Sequence, residues 1–320
     1  MFDPYHIITE YGIDEARRLT RTKLEHTCIN AAVMMLEARL TTPEPAWASM
    51  MVTSLPHRQP IEANRPTFDW HRRISFFGEH NIGFDEYHLE SGRFDDGSPI
   101  GVPYGAKARL ALIFLHTQVI RQGSLLLNVP HTRNAYLKAL GVEGGGMSYK
   151  RVTDQGRRVS ACILTIVKDN QTPLTTPLVD FFIYDSGVFS PSKKDIFSLG
   201  LSRQIIVSQK FHDLIVGQSI RLDQRALRII SDNSWAIDMF IWAACTLPRL
   251  ATPQFLTWKQ LEFGSGVNYK RSRQIRSVLL STLQLVKAIY PQGRVDVANN
   301  GLVLHPSPPP LSRAPQDSEL

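Results

Sequence analysis

The chain has 320 residues, of which 43% are hydrophobic and 20% are charged, and its formal net charge is +7. This length and hydrophobic content exclude an intrinsically disordered protein and are sufficient for two domains with separate cores. No stretch approaches the roughly 18 uncharged apolar residues that would span a bilayer, and the N-terminus MFDPYHIITE lacks the basic and then apolar order of a signal peptide, so we expect a cytoplasmic protein.

The N-terminal part of the chain shows only local patterning. Apolar residues recur at helical spacing over residues 13–40, which predicts a helix there. Residues 42–70 contain five prolines and are predicted to be extended or irregular, because proline lacks the amide hydrogen that regular structure needs. The segment HRRISFF at 71–77 is predicted to be a strand.

Residues 105–185 predict a series of elements whose ends are marked by glycine and by capping side chains. In chain order these are a helix over 106–124 closed by Gly123, a strand over 125–128, a second helix over 131–142 with Thr132 as N-cap, a third helix beginning at GMSYKR (146–151), and a hairpin formed by 161–170 and 177–185. A strand and two short helices are predicted to follow over 194–230.

The same series is predicted a second time. In chain order it comprises a helix capped by Ser234, a strand over 255–258, a brief helix over 257–266, a helix beginning at GVNYKR (266–271), and a hairpin with an Asn300-Gly301 turn. The hexapeptides GMSYKR and GVNYKR lie 120 positions apart. Because self-similarity at long range indicates a structural unit used twice, we predict an α+β fold with tandem winged helix-turn-helix domains.

The predicted domains follow from this repeat and from the proline-rich end of the chain. They are an N-terminal helical extension (1–49), a first winged-helix domain with an irregular lead-in (50–208), a second winged-helix domain (209–307) and a disordered proline-rich tail (308–320).

Charge is segregated along the chain. Residues 1–102 hold 10 Lys/Arg against 15 Asp/Glu, whereas residues 103–162 hold 9 against 2 and residues 233–291 hold 7 against 2. Each basic block contains one hexapeptide. Clustered cations attract polyanions, which predicts double-stranded DNA as the partner. The alternative for any single basic run is a solvated helix face, but two runs at matching positions favour the DNA interpretation.

The predicted DNA-contacting residues lie on the two helices that begin at the hexapeptides. In a helix-turn-helix such a helix enters the major groove, and its N-terminus favours phosphate oxygens. Arginine pairs with guanine and glutamine with adenine, so the candidates for base contacts are Arg151, Gln155, Arg158, Arg273 and Gln274. The candidates for phosphate contacts are Lys150, Arg157, Lys270, Arg271 and Arg276, and the set is completed by Tyr149, Tyr269 and Ser277.

The first of these helices is predicted to bury Val152, Gly156, Val159 and Ile163 and to direct Asp154, Gln155 and its cations outward. For Tyr149 and Tyr269 the alternative is that the ring packs beneath the turn. For each cation the alternative is a hydrated surface side chain.

Sequence patterns for catalysis are missing. None of the ten histidines stands two residues from another, so the His-x-His metal pair of a rolling-circle nickase is absent, as are the phosphate-binding loop and HExxH motifs. His80 and His88, with Asp85 and Glu86 between them, are assigned to a polar loop rather than to a metal site. The three cysteines are far apart and form no metal motif. We expect no catalytic residues, no cofactor and no metal.

Four segments together resemble the plasmid-encoded RepA family of replication initiators. They are LPHR (55–58), GVPYGAKARLALIFLHTQVIRQGS (101–124), FHDLIVGQSIRLDQRALRIISDNSWAIDMFIWA (211–243) and AIYPQGRVDVANNGLVLHPSPPP (288–310). The resemblance implies a bacterial plasmid protein that binds repeated sequences, called iterons, at its own origin. It also implies opening of the duplex, recruitment of the host initiator and replicative helicase, exchange between a homodimer and a monomer, and association with the plasmid or nucleoid.

Three functions follow as hypotheses. The first is a non-enzymatic, iteron-binding initiator of theta-type plasmid replication. The second is a plasmid-encoded transcriptional autorepressor that binds DNA in the same way. The third makes the winged helices protein-interaction modules. None of these involves a membrane.

Overall fold

The structure is a computed structural model of the chain, and it describes residues 2–38, 44–62, 65–77, 82–143, 146–168, 171–194, 202–265 and 272–311. At 62, 65–66, 75–77, 82–84, 262–265 and 272–275 it describes the backbone only. The helices and antiparallel strands of these ranges form an α+β fold, as predicted. None of the helices in them has both the length and the apolar character needed to cross a membrane.

The α-helices of the described ranges are α1 (Pro4–Tyr11), α2 (Ile13–Arg18), α3 (Lys23–Ala38), α4 (Gly105–Gln122), α5 (Arg133–Ala139), α6 (Gly146–Ala161), α7 (Gln209–Gln218), α8 (Gln224–Ile229), α9 (Ser234–Thr246), α10 (Trp258–Ser265) and α11 (Ser272–Ile289). The strands of these ranges are β1 (Pro45–Ala48), β2 (Ile61–Glu62), β3 (Arg65–Pro66), β4 (Asp69–Phe77), β5 (Ile82–Glu90), β6 (Leu126–Asn128), β7 (Ile163–Lys168), β8 (Leu174–Pro177), β9 (Val179–Tyr184), β10 (Gly187–Phe189), β11 (Gln204–Val207), β12 (Ile220–Asp223), β13 (Gln254–Thr257), β14 (Val295–Ala298) and β15 (Gly301–Leu304).

Local sequence signals set the ends of the first helices as predicted. α4 ends at Gly123, which has the left-handed φ of 58° that glycine adopts without strain. The hydroxyl of Thr132 accepts a hydrogen bond from the amide of Ala135, so Thr132 caps α5. The order α4, β6, α5, α6 therefore matches the order predicted for the first unit.

The two units have the same strand pairing. In the first, β6 pairs with β11 and β11 pairs with β9. In the second, β13 pairs with β15 and β15 pairs with β14. In both units the strand between the first and second helices therefore pairs with the unit's last strand, which pairs on its other side with an earlier strand. The sheet of the first unit has a fourth strand, β10, at its edge beside β9, and the sheet of the second unit has three strands. The described residues thus repeat the helix order and this pairing of three strands.

The hairpin predicted for 161–170 and 177–185 is wrong. β7 pairs with β8 on one side and with β5 on the other, in a separate four-stranded sheet of order β4-β5-β7-β8. β9 instead belongs to the sheet that contains β11 and β6. Two strands of this sheet, β7 and β8, therefore lie in sequence between α6 and β9, the next strand of the first unit's own four-stranded sheet, whose order is β10-β9-β11-β6. The strand predicted at 71–77 is confirmed within β4.

Several predicted boundaries are corrected. The helix predicted over 13–40 is broken between α2 and α3, because Thr22 and Glu25 accept hydrogen bonds from each other's amides and form a capping box that starts a new helix. α9 is capped by Asn233 and not by Ser234, since the Asn233 side chain accepts from two amides. The segment containing Asp85, Glu86 and His88 is part of β5 and not a loop, whereas His80 lies outside the described residues.

The turn of the last hairpin also lies one residue before its predicted position. Ala298 pairs with Gly301, so the two turn residues are Asn299 and Asn300. Gly301 is the first residue of β15, and a Cβ atom there would lie 1.8 Å from the carbonyl oxygen of Leu256 on β13. Glycine is therefore required at 301 by the close approach of two strands rather than by the turn.

One hydrophobic core runs through both units and the N-terminal helices. α3 packs against α11, and β1 pairs with β12, so the segments before residue 49 contact the second unit. The domain boundaries at 49/50 and 208/209 stay a prediction, and the buried core is continuous across both positions. Of the predicted tail, residues 312–320 lie outside the described residues.

Stability is expected to fall in mild acid because of His116, which is fully buried in α4. Its Nδ1 donates to the carbonyl oxygen of Leu112 (2.7 Å), its Nε2 accepts from the Ser49 hydroxyl (3.1 Å), and burial lowers its pKa from 6.5 to about 4. Below pH 6.5 the unfolded chain binds a proton that the folded protein excludes, so the free energy of unfolding falls by about 2 kcal/mol between pH 7 and pH 5.

Urea unfolding at both pH values would measure this loss. The variant His116→Asn has no titratable ring, and its loss of stability over the same interval should be smaller by about that amount. Equal losses in the two proteins would show that His116 is not responsible.

Candidate nucleic-acid interface

The apolar side of α6 packs against the rest of the protein, and side chains of its N-terminal half are exposed to solvent. Val152, Gly156 and Val159 are buried, as predicted, where α6 packs against α4. A Cβ atom at Gly156 would lie 3.2 Å from the Tyr136 hydroxyl, so glycine lets the helix approach closely. The residues that precede Val152 on this helix are therefore the ones presented to solvent.

Three exposed cations surround this open end. Lys150 and Arg151 lie on α6, and Arg133 is the first residue of α5, with its guanidinium carbon 4.9 Å from the centroid of the Tyr149 ring. None of the three forms an ion pair with a carboxylate of the described residues. We call Arg133, Lys150 and Arg151 the basic patch. Their positive charge is not neutralised by neighbouring side chains.

Arg133 was not among the residues predicted from the sequence. The available signal was its position directly after the capping residue Thr132, which places it in the first turn of the preceding helix. Tyr149 is half-buried at the edge of the core, which agrees with the alternative that its ring packs beneath the turn. Its face attracts the Arg133 guanidinium by a cation–π interaction, so the tyrosine fixes where that cation is presented.

The outward placement of Gln155 is wrong. Gln155 is only 5% exposed. Its amide oxygen accepts a hydrogen bond from the backbone amide of Tyr104 (2.9 Å), and its amide nitrogen donates to Asp154 (3.0 Å). The side chain therefore provides the hydrogen-bond acceptor for the backbone amide just before α4. It is not presented to a base edge.

The outward placement of Arg157 and Arg158 is also wrong, because both are half-buried. The Arg157 guanidinium lies 5.8 Å from the ring centroid of Phe94. Arg158 donates to Asp154 (3.0 Å) and lies 5.4 Å from the ring centroid of Tyr104. The two aromatic contacts hold the C-terminal half of α6 against residues 94–104, whereas the contact with Asp154 lies within α6. Only its N-terminal half presents cations.

In the second unit, the structure describes part of the predicted set. Tyr269, Lys270 and Arg271 lie outside the described residues. Arg273 and Gln274 belong to the first turn of α11, for which the backbone is described.

Arg276 and Ser277 are exposed on α11. The Arg276 guanidinium lies 4.9 Å from the ring of Trp258, whose indole nitrogen donates to the carbonyl of Asn299 in the hairpin turn (3.1 Å). Trp258 is the first residue of α10, just as Arg133 is the first residue of α5. In each unit a cation–π contact therefore links the first residue of the shorter helix to the longer helix.

The acidic N-terminal segment borders the polar side of α11. Leu24 of α3 lines a surface groove of about 410 Å³ together with Arg276, Ser277 and Ser281. The hydroxyl of Tyr5 also donates to the carbonyl of Ala288 near the end of α11 (2.7 Å). The N-terminal helices thus lie beside α11 near both Arg276 and Ala288.

A buried charged cluster connects the two units. Arg109 of α4 is fully buried and donates to both carboxylate oxygens of Asp238 on α9, at 2.6 and 2.8 Å. Its remaining N–H groups donate hydrogen bonds to the carbonyl oxygens of Leu55, Pro56 and Gly105. All five N–H donors of this guanidinium are therefore used, which is the condition for burying it at an acceptable cost.

Arg72 and His57 complete the cluster. Arg72 of β4 is 6% exposed and donates to the same carboxylate at 3.4 Å, and burial lowers its pKa to about 10. The His57 ring stacks on Trp235 at 3.8 Å between centroids. Burial first, and then the neighbouring arginines, hold the pKa of His57 well below its usual range, so the ring is neutral. The single carboxylate of Asp238 therefore accepts hydrogen bonds from two buried guanidinium groups.

The sequence did not reveal this cluster, although three of the segments that carry the family resemblance contribute to it. LPHR contributes His57 and two carbonyls, 101–124 contributes Arg109, and 211–243 contributes Asp238. Arg72 lies outside these segments.

The fold and its surface thus define an α+β protein with an exposed basic helix end and with two units that share a helix order and the pairing of three strands. Residues 102–260 match the family model described as "Plasmid encoded RepA protein". The chain belongs to this family of plasmid-encoded RepA proteins.

Two solved crystal structures of RctB are similar to this chain at 8% sequence identity. The structure of domains 2-3 covers 80% of this chain and 95% of its own, with a TM-score of 0.45. The structure of selenomethionine derivatives of domain 2 and domain 3 covers 78% and 85%, with a TM-score of 0.43. A search of curated protein sequences finds no match.

Proposed function

We propose that the protein initiates replication of a plasmid by binding repeated sequences, or iterons, in the double-stranded DNA of its origin. The observation that carries this proposal is the basic patch, in which Lys150 and Arg151 extend from the N-terminal half of α6 and Arg133 lies beside them. Family membership supports the plasmid context.

The proposed binding elements are two winged helix-turn-helix domains. Helix, strand, helix and a longer helix occur in that order in both units, and the last strand of each unit pairs with the unit's first strand on one side and with a later strand on the other. In this motif the N-terminal residues of the longer helix contact base edges. That agrees with α6, which presents cations only at this end.

The proposed roles are assigned by exposure. Arg151 contacts a base edge, because arginine donates two hydrogen bonds to guanine in the major groove. Lys150 and Arg133 contact phosphates. On the second unit we propose contacts from Tyr269, Lys270, Arg271, Arg273, Gln274, Arg276 and Ser277. Gln155, Arg157 and Arg158 are reassigned to holding α6 in place.

Duplex opening and recruitment of the host initiator and replicative helicase complete the proposed function, as does exchange between homodimer and monomer. The protein acts without catalytic residues of its own. Supercoiled origin DNA incubated with the protein and a divalent metal ion is therefore expected to remain uncut.

The experiment that tests initiation uses the gene and its adjacent repeats on a DNA fragment that lacks any other origin. Such a fragment is expected to replicate in the host when the gene is intact. If the purified protein bound the repeats but the fragment never replicated, the autorepressor would be the correct function. If it ignored the repeats at moderate salt, the DNA-binding proposal itself would fail.

A further inference from the structure

The outer face of strands β4 and β5 carries a cluster of metal-ligating side chains. Alternate residues of a strand share a face, so Asp69 and His71 lie on one face of β4 while Arg72 enters the buried cluster on the other. The strand register places His71 directly opposite His88 of β5. The ligand atoms of Asp69, His71 and His88 all lie within 4.8 Å of one another.

The two histidines are arranged without the usual hydrogen bonds. Their rings are stacked, with centroids 3.9 Å apart and planes inclined by 8°. Nε2 of His88 is shielded from solvent and has no hydrogen-bond partner among the described residues. A shielded ring nitrogen of this kind normally has a partner. A bound cation would supply one.

The site has room for an ion and its water. His71 and His88 line a cleft of about 430 Å³ together with Glu86 and Thr165. Arg73 also lines this cleft, and its guanidinium lies 3.7 Å from the carboxylate of Glu86, which offsets its charge.

We propose that Asp69, His71 and His88 bind one divalent ion of the zinc class. Two imidazoles and one carboxylate are donors that Zn²⁺ and its late first-row neighbours prefer over Mg²⁺ or Ca²⁺. Three protein ligands leave a fourth position for water. The ion joins β4 to β5 and so supports the strand whose other face carries Arg72. This site is independent of the proposed DNA-binding function.

The test uses the full chain without a polyhistidine tag, stripped of metal with a chelator and titrated with Zn²⁺ against a chromophoric competitor. We expect one ion per chain, and at least a tenfold loss of affinity in His71→Ala and in Asp69→Asn. Zn²⁺ should raise the thermal midpoint of the unsubstituted protein and not that of His71→Ala. Both substituted residues are exposed, and the apo midpoints verify that the variants fold.

His131→Ala removes an exposed histidine outside the cluster and is the matched control, expected to bind as the unsubstituted protein does. The proposal is overturned if no stoichiometric binding occurs, or if His71→Ala binds as tightly as His131→Ala. It is overturned as a three-residue site if Asp69→Asn leaves the affinity unchanged.

Discussion

Replacing Asp238 with alanine should destabilise the folded protein by about 3–5 kcal/mol, because it removes one partner of a buried ion pair and leaves uncompensated charge in the interior. Asp238 is the carboxylate that Arg109 and Arg72 share, and those side chains are 0% and 6% exposed. Since a domain is stable by about 5–15 kcal/mol in total, this loss removes a large part of the stability. Urea unfolding followed by circular dichroism would measure it.

Asp232→Ala is the matched control. Asp232 is exposed and forms an ion pair with Lys107 at 2.9 Å. Like the buried pair, this one involves α4, because Lys107 lies on α4 and Asp232 lies just before α9. Exposed pairs contribute about 0–1 kcal/mol, so this variant should lose little. Similar losses in the two variants would contradict the role given to the buried cluster. The double variant Arg109→Met/Asp238→Leu should recover only part of the stability, because it removes the buried charge of Arg109 while Arg72 keeps its charge and loses the Asp238 carboxylate.

The double variant Lys150→Ala/Arg151→Ala should lose most of the affinity for origin repeats. A base-contacting arginine contributes about 1–3 kcal/mol, and each cation lost from a phosphate lowers the salt dependence of binding by about one unit of slope. Both side chains are exposed, so the free energy of unfolding should stay within about 0.5 kcal/mol of the unsubstituted value. Fluorescence anisotropy with a duplex repeat at several salt concentrations would measure both effects.

The double variant Lys210→Ala/Arg249→Ala removes the same charge from exposed positions on other elements. It should show only the weak loss expected from the lower net charge. Equal losses of affinity in the two double variants would mean that attraction is spread over the whole surface, and α6 would not be the contacting helix.

The order of elements could be predicted because its signals are local. Thr132, Gly123 and the repeated hexapeptide each mark an element end within a few residues of sequence. Strand partners could not be predicted in this way. β6 pairs with β11, which lies more than 70 residues further on, and β7 pairs with β5 across the whole first helical series.

The candidate site was predicted only in part, because local signals mark some of its residues while others depend on contacts that are distant in the sequence. The helical pattern alone predicts that Lys150 and Arg151 are exposed. It also predicts exposure for Gln155, Arg157 and Arg158, but these side chains contact Phe94, Tyr104 and Asp154 instead. The first two partners lie 50 or more positions away in the sequence, so helical periodicity cannot reveal them. The ion pair of Arg109 with Asp238 joins residues 129 positions apart, and each is an ordinary charged residue in its own helix.

The most direct test of DNA binding through α6 is photo-crosslinking from residue 151. A photoreactive amino acid at Arg151 should crosslink the full-length protein to origin repeats, at a base in the major groove, whereas the same amino acid at Lys210 should give no specific crosslink. A crosslink from position 210 equal to that from 151, or no crosslink from 151 under conditions in which the protein is bound, would contradict the assignment of α6 to the DNA.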